Sequence, residues 1–255
     1  MAVAMAACRP VLAPKVPAPR KDPSPAYEQL LVRAVSEDGY VDYDVLEEGR
    51  EALDDYVAWI SRPKRVQRAN TQHGFWLDAY NALVLYAVLE DGRPASVKDV
   101  PGWIPVGGSG FFLERAFLVQ GMPTSLWEIE HERLRGRVMD FRDHAALNCA
   151  SRSCPPLRAG LYARTPKIDK LLKEQMETWV ADEARGVRIE DGQAVFNPIF
   201  DWFDHDFRFL NNGDDLCTTV ARFSTGERRA ALESLAAEGC PHTFFEYDWS
   251  LNVAR

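Results

Sequence analysis

Residues 70–91 read NTQHGFWLDAYNALVLYAVLED, and the placement of this stretch decides the fold. Phe75, Ala79, Ala82, Leu83, Tyr86 and Leu89 recur at intervals of three and four, the period of a helix face. Trp76 and Tyr80 widen the apolar arc until little polar surface is left, so the segment predicts a central helix contacted on most sides. Asn70 or Thr71 is placed to cap it. Its polar members stand out: His73, Asp78 and Asn81. Asp78 and Asn81 are three apart and share a face.

Working outward from this helix, Ser24 is a cap and Pro25 a first helical residue for AYEQLLVRAV. Leu53, Val57 and Ile60 give residues 47–61 one packed face. FFLERAFLVQG, residues 111–121, reads as extended. Ser125 and Glu128 then form a capping box for LWEIEHERLR. Leu126, Ile129 and Leu134 share one arc of that helix, with Glu130 inside the arc and His131 at its edge beside Trp127. A carboxylate in an apolar arc is costly unless paired or protonated. Ile168, Leu171, Leu172, Gln175, Met176 and Trp179 trace another helix face. GVRIEDGQAVF, residues 186–196, predicts a hairpin with an Asp-Gly turn. Ser224 and Glu227 suggest a second capping box, and TFFEYDWSLN, residues 243–252, reads as a strand with one strongly apolar face. The expected fold is one mixed α/β domain of the α+β kind, residues 24–255. It has a central packed helix and a mixed or antiparallel sheet. A disordered Pro/Ala-rich arm, residues 1–23, precedes it.

The 255 residues are 46% hydrophobic, enough for a sizeable core. A net charge of -8 argues against nucleic acid as a partner. No apolar run reaches the length of a transmembrane segment. The five cysteines, Cys8, Cys149, Cys154, Cys217 and Cys240, are too few for a disulfide scaffold, and Cys217 and Cys240 read as buried packing. As written the chain is expected to be soluble and cytoplasmic. Small residues before Cys8 and the proline-rich stretch after it look like the end of a lipoprotein signal and its tether. An exported, periplasmic or lipid-anchored protein with a peripheral membrane tether through Cys8 is therefore the alternative. There is no phosphate-binding glycine loop, HExxH motif or nucleophile elbow, and no cofactor is expected.

The chemistry concentrates in RDHAALNCASRSCPPLR, residues 142–158. Together with FWLDAYNAL at 75–83, IEH at 129–131, IFDWFDHDF at 199–207 and DWSLN at 248–252, it resembles the DUF547 family, a domain of unknown function, across roughly residues 25–253. The family occurs in bacteria, whose members often look exported, and in plant proteins. The resemblance implies shared roles for Asn81, Glu130, His131, His144, Cys149, Ser151, Cys154, Pro155, Asp201, Trp202, Asp248 and Asn252. The chain departs from the family pattern at His73-Gly74 and at Asp78, which makes His73 less attractive as a shared catalytic residue. A packed helix followed by sheet is reminiscent of papain-like or transglutaminase-like folds. The central helix lacks their nucleophilic cysteine, so the analogy carries no mechanism.

Four readings of the motif compete. The first is a cysteine-dependent hydrolase or acyl transferase acting on an amide or ester bond of a peptide or small molecule. Cys149, or less favourably Cys154, is its nucleophile and His131 or His144 its base, oriented by Glu130, Asp201 or Asp248. A regular strand over 144–149 would put His144 and Cys149 on opposite faces, so that reading needs a bend or His131. The second is a zinc site from His131, His144, Cys149 and Cys154, although the cysteine spacing is wider than in zinc knuckles. The third is a Cys149–Cys154 disulfide, which removes the free thiol. The fourth is packing, or a non-enzymatic binding or structural domain using the aromatics of FDWFDHDF, with Asp204, His205 and Asp206 at the rim. Asn81, Asn148, Ser151, Asp201, Trp202 and Asn252 are the candidate ligand-binding residues. An enzyme should gather Cys149, a histidine and a carboxylate beside an open cleft. A binding module should show an aromatic groove with the cysteines buried or paired.

Overall fold

Helix α4 (Ala69–Glu90) is the axis on which the other elements are hung. The computed structural model describes residues 9–63 and 69–254, without the side chains of residues 69–71. The capping expected of Asn70 or Thr71 and the tether expected of Cys8 therefore lie outside the described residues. Every residue of α4 from Trp76 to Leu89 is buried, as the nearly unbroken apolar surface requires. α1 (Ser24–Ala34) and α3 (Arg50–Ile60), with the short α2 (Tyr43–Glu48) between them, cover one side. Tyr27 of α1 stacks on Tyr56 of α3 with ring centroids 4.5 Å apart. Pro23, not Ser24, is the N-cap of α1, and the Ser24 side chain bonds to Asp22 instead.

Asp78 and Asn81 hold chain rather than face solvent. The Asp78 carboxylate accepts the backbone N–H groups of Tyr162 and Ala163, each at 2.8 Å. Gly74 permits that close approach, since a Cβ there would lie 2.7 Å from the Ala163 nitrogen. Burial pushes Asp78 up to about 7 against the pull of those two N–H groups.

Two three-stranded sheets stay open, and both are mixed. β1 (Val11–Leu12) runs parallel to β2 (Ala116–Val119), which pairs antiparallel with β3 (Met122–Thr124). β4 (Val187–Glu190) and β5 (Gln193–Phe196) form the expected hairpin, with Asp191 and Gly192 both at positive φ in its turn. β6 (His242–Phe244) adds parallel to β5. The C-terminal strand is shorter than the alternation suggests. Beyond Phe244 the described residues pair through single bridges, Ser250 to Ser96, Leu251 to Ser151 and Val253 to Val41. The stretch read as extended from Phe111 winds as a wide π-type turn over Gly110–Glu114 before β2 begins.

A second core lies under α7 (Ile168–Ala181). Trp179 stacks on Phe200 at 4.5 Å and donates its indole N–H to the Arg185 carbonyl. α10 (Leu216–Ala221) and α11 (Gly226–Ala237) close this core. Cys217 and Cys240 are buried here as expected, but they are joined in a disulfide with Cα atoms 5.6 Å apart. The second capping box is not formed: Thr225 is the N-cap of α11, and the Ser224 hydroxyl donates back to the Val220 carbonyl. The result is a single mixed α+β domain with a helix-dominated core. Among the described residues no helix is long and apolar enough to cross a membrane.

Beside the first core, buried amides join distant segments. Asn81 donates to the Ala146 carbonyl and accepts the Asn148 N–H, both at 2.9 Å. Asn148 donates its side-chain amide to the Pro155 carbonyl at 2.8 Å and accepts from Ala150 N and Asn252 Nδ2. Tyr43 donates its hydroxyl to Asn252 Oδ1 at 2.7 Å. Asn148→Ala would leave a buried N–H, an amide and a carbonyl unpaired. We expect a loss of about 3 kcal/mol or more by equilibrium urea unfolding; a loss below about 1 kcal/mol would show that the network does not hold these segments together.

Candidate functional site

The capping box expected at Ser125 and Glu128 is formed in both directions and starts α5 (Leu126–Glu128). The helix then widens into a π-helical run, Ile129–Val138. Leu126, Ile129 and Leu134 all reach the core. Glu130 and His131 are left lining a cavity. His131 stacks on Trp127 at 4.5 Å, and its Nδ1 lies 3.2 Å from the Trp127 carbonyl oxygen.

The motif around His144 is not a strand. Residues 143–146 form a helical turn, α6 (Asp143–Ala146), followed by an irregular loop. The alternation that would have separated His144 from Cys149 does not apply, and both line the same cavity. A short run of small apolar residues has no periodicity that tells a buried turn from a buried strand. The His144 ring stacks on Phe203 at 4.1 Å, and its Nε2 lies 2.9 Å from Asp206 Oδ2. Arg135 grips the same carboxylate with two bonds, 2.5 and 3.1 Å.

α8 (Ile199–Trp202) and α9 (Asp204–Phe209) bring Trp202 and Phe203 to the opposite wall. Alternation survives in the C-terminal segment even without strand pairing. Tyr247 and Trp249 face the cavity, while Asp248 between them is exposed. Trp202 contacts Tyr247 at 4.9 Å and stacks on Trp249 at 5.6 Å. The cavity measures about 210 Å³ and its lining is mostly apolar.

Cys149 and Cys154 form part of the wall as a disulfide, with Cα atoms 6.2 Å apart. The Tyr247 hydroxyl lies 3.2 and 3.3 Å from the two sulfurs. This corrects the leading expectation. A cysteine hydrolase or acyl transferase needs a thiolate at Cys149 or Cys154, and both are consumed in the bond. The zinc set built on the same sulfurs falls with it, because a metal needs deprotonated thiols. Elsewhere Asp215, Cys217 and Cys240 lie within 4.8 Å of one another, a candidate metal cluster by proximity. Its sulfurs are also paired, in the Cys217–Cys240 disulfide. Asp215 caps α10 by accepting the Thr218 N–H and hydroxyl.

Burial sets the charges of the cavity. It pushes Glu130 up to about 7, with Asp206 adding to the rise and Arg135 and the Tyr80 hydroxyl opposing it. It pushes His131 down to about 4, helped by Arg135, and lowers His144 against the pull of Asp206. Burial also works to raise Asp206, but hydrogen bonds from His144 and Arg135 outweigh it and hold that carboxyl well below the usual range.

Of the residues singled out from sequence, Glu130, His131, His144, Cys149, Cys154 and Trp202 line the cavity. Asn81, Asn148 and Asn252 lie in the amide network, and Ser151 is buried. Asp201 and Asp248 are exposed, and His73 pairs with Asp143 at 2.6 Å. Tyr80, Phe112, Trp127, Leu147, Ile199, Phe203, Tyr247 and Trp249 complete the lining. The apolar alternation of residues 245–249 was the signal for the last two.

Fold and site together define a mixed α+β domain with an aromatic, disulfide-walled cavity. Residues 63–180 match the family described as "Protein of unknown function, DUF547". The matched segment holds Tyr80, Glu130, His131, His144 and the Cys149–Cys154 pair, whereas Trp202, Tyr247 and Trp249 lie beyond it. No curated protein and no solved structure matches the chain.

Without reductant, iodoacetamide should label none of Cys149, Cys154, Cys217 and Cys240, and reduction should expose all four to peptide mapping. Replacing Cys217 and Cys240 with alanine should cost about 3.5 kcal/mol, against about 2 kcal/mol for Cys149 and Cys154, because the longer loop restricts the unfolded chain more. Urea unfolding that reversed this order would reject the loop-length account.

Proposed function

We propose that the domain is a non-enzymatic binding module whose ligand enters the aromatic cavity. The observation that supports this reading is the pairing of both motif cysteines in the wall of a cavity otherwise built from aromatic rings. Such a lining captures apolar surface and orients it by ring contacts. At about 210 Å³ the space suits a small molecule, or one side chain or headgroup of a larger one. Two disulfides are stable where the surroundings oxidise thiols, which supports export from the cytoplasm.

Trp202 is 47% exposed, so removing its indole leaves the core intact. Small aromatic and aliphatic fragments should show binding to the wild-type protein by ligand-observed NMR. Trp202→Ala should weaken that binding at least about tenfold, the effect of losing one stacked ring of about 1.4 kcal/mol, with little change in melting temperature. Fragments that bind equally well to the variant would place the binding elsewhere and reject the proposal.

A further inference from the structure

We propose that the ligand of this cavity is a weakly hydrated organic cation, a quaternary ammonium group, seated against the Trp202, Tyr247 and Trp249 rings with Glu130 as its counter-charge. The inference rests on the binding-module reading and names its ligand class.

Ring faces carry negative quadrupolar potential and attract cations, most strongly when water is excluded. Trp202, Tyr247 and Trp249 form one contiguous cluster of rings in the cavity wall, Tyr247 and Trp249 lying 4.6 Å apart at 50°. Trp249 already shows this chemistry, for the Lys98 ammonium lies 4.9 Å from its ring centroid.

The charges in the lining point the same way. Glu130 is its only carboxylate, and no lysine or arginine lines the cavity. The nearest guanidinium, Arg135, is engaged by Asp206 through two bonds. Among the described residues Glu130 has no ion pair. A neutral apolar guest would desolvate that carboxyl further and favour its protonated form, and an anionic guest would meet like charge when it is ionised. A sugar needs many hydrogen-bonding partners, which a lining dominated by rings does not supply. A cation with no N–H to satisfy meets both demands, ring faces around it and one carboxylate beside it.

Ionisation of Glu130 then controls affinity. The groups facing it are Tyr80 on α4, His131 and Arg135 on its own helix, His144 on α6, Asp206 on α9 and Tyr247 of the C-terminal segment. Near neutral pH the imidazoles are neutral, Asp206 stays charged, and burial pushes the Tyr80 and Tyr247 phenols up. Glu130, at about 7, is the group that changes charge. Cation binding should therefore strengthen about tenfold from about pH 6 to about pH 8, as the ionised fraction rises.

The test is calorimetric titration of the full chain with tetramethylammonium, with choline and with the neutral tert-butyl isostere of choline. At about pH 8 the cations should bind at least about tenfold more tightly than the isostere, a difference of one Glu130 charge contact. Glu130→Gln should weaken cation binding about tenfold while leaving the isostere unchanged. Should that variant fail to fold, the pH arm on the wild type carries the test, with the cations and not the isostere weakening towards about pH 6. Equal binding of cation and isostere, or isostere alone, would overturn the cation and leave the binding module standing. Aromatic fragments that bind where both cation and isostere fail would do the same. If fragments fail as well, the cation and the module fall together.

Discussion

The side-chain amide of Asn148 is the constraint on which the rest of the site depends. Its oxygen takes both available acceptor bonds, from Ala150 and from Asn252, and its nitrogen ties Pro155. These bonds close the neck of a loop whose next ring outward is the Cys149–Cys154 disulfide. Ala150 sits at φ +61°, a left-handed conformation that costs a non-glycine residue energy. The Asn148 oxygen accepting its N–H offsets that cost. The backbone N–H of Asn148, donated to Asn81, fixes the loop to the buried axis, and the Asn148 side-chain amide ties it through Asn252 and Tyr43 to the C-terminal segment. One residue thereby sets the positions of the disulfide wall and of the chain that carries Tyr247 and Trp249.

The opposite side of the cavity is organised by a departure from ordinary helix geometry. A helix with i→i+4 bonds turns a fixed amount per residue, and a π-helical run changes that phase. Over Ile129–Val138 the wider winding keeps Leu126, Ile129 and Leu134 on the core while Glu130 and His131 meet the cavity. Stacking of His131 on Trp127 holds one imidazole, and the Arg135–Asp206–His144 chain holds the other. Both rings are thus fixed by neighbours before any ligand arrives, which lowers the ordering cost of binding.

Physical distance explains what the sequence could and could not disclose. The α4 helix was legible because burial on most sides leaves a dense apolar pattern, and the 186–196 hairpin because Asp-Gly supplies the two left-handed residues its turn needs. The Ser125–Glu128 box was legible because every bond in it is local. The same spacing at Ser224 and Glu227 misled, since a cap depends on backbone angles, and Ser224 spends its hydroxyl on Val220. Small residues 144–149 gave no period to separate a turn from a strand. The cysteine pairings were open because five-residue and twenty-three-residue separations fit a thiol, a ligand or a bridge equally well, and only the Cα distances decide. The cavity itself draws rings from residues 80 to 249, a convergence no local pattern encodes.

With the thiols paired, the remaining titratable groups bear on whether the cavity converts a ligand or holds one. General acid–base work is best served by a group titrating near the working pH and free to reach the substrate. His131 is driven down to about 4 and leans on the Trp127 carbonyl. His144 is lowered as well, and its Nε2 is engaged by Asp206, whose other bonds go to Arg135. Of the cavity's groups with a shifted pKa, Glu130 is the one that sits near neutrality, and the thiols beside it are paired. A single carboxyl poised between charged and neutral among aromatic rings is suited to a different task. It supplies a counter-charge when a cation enters and takes up a proton when the cavity is empty, so that binding and proton release are linked.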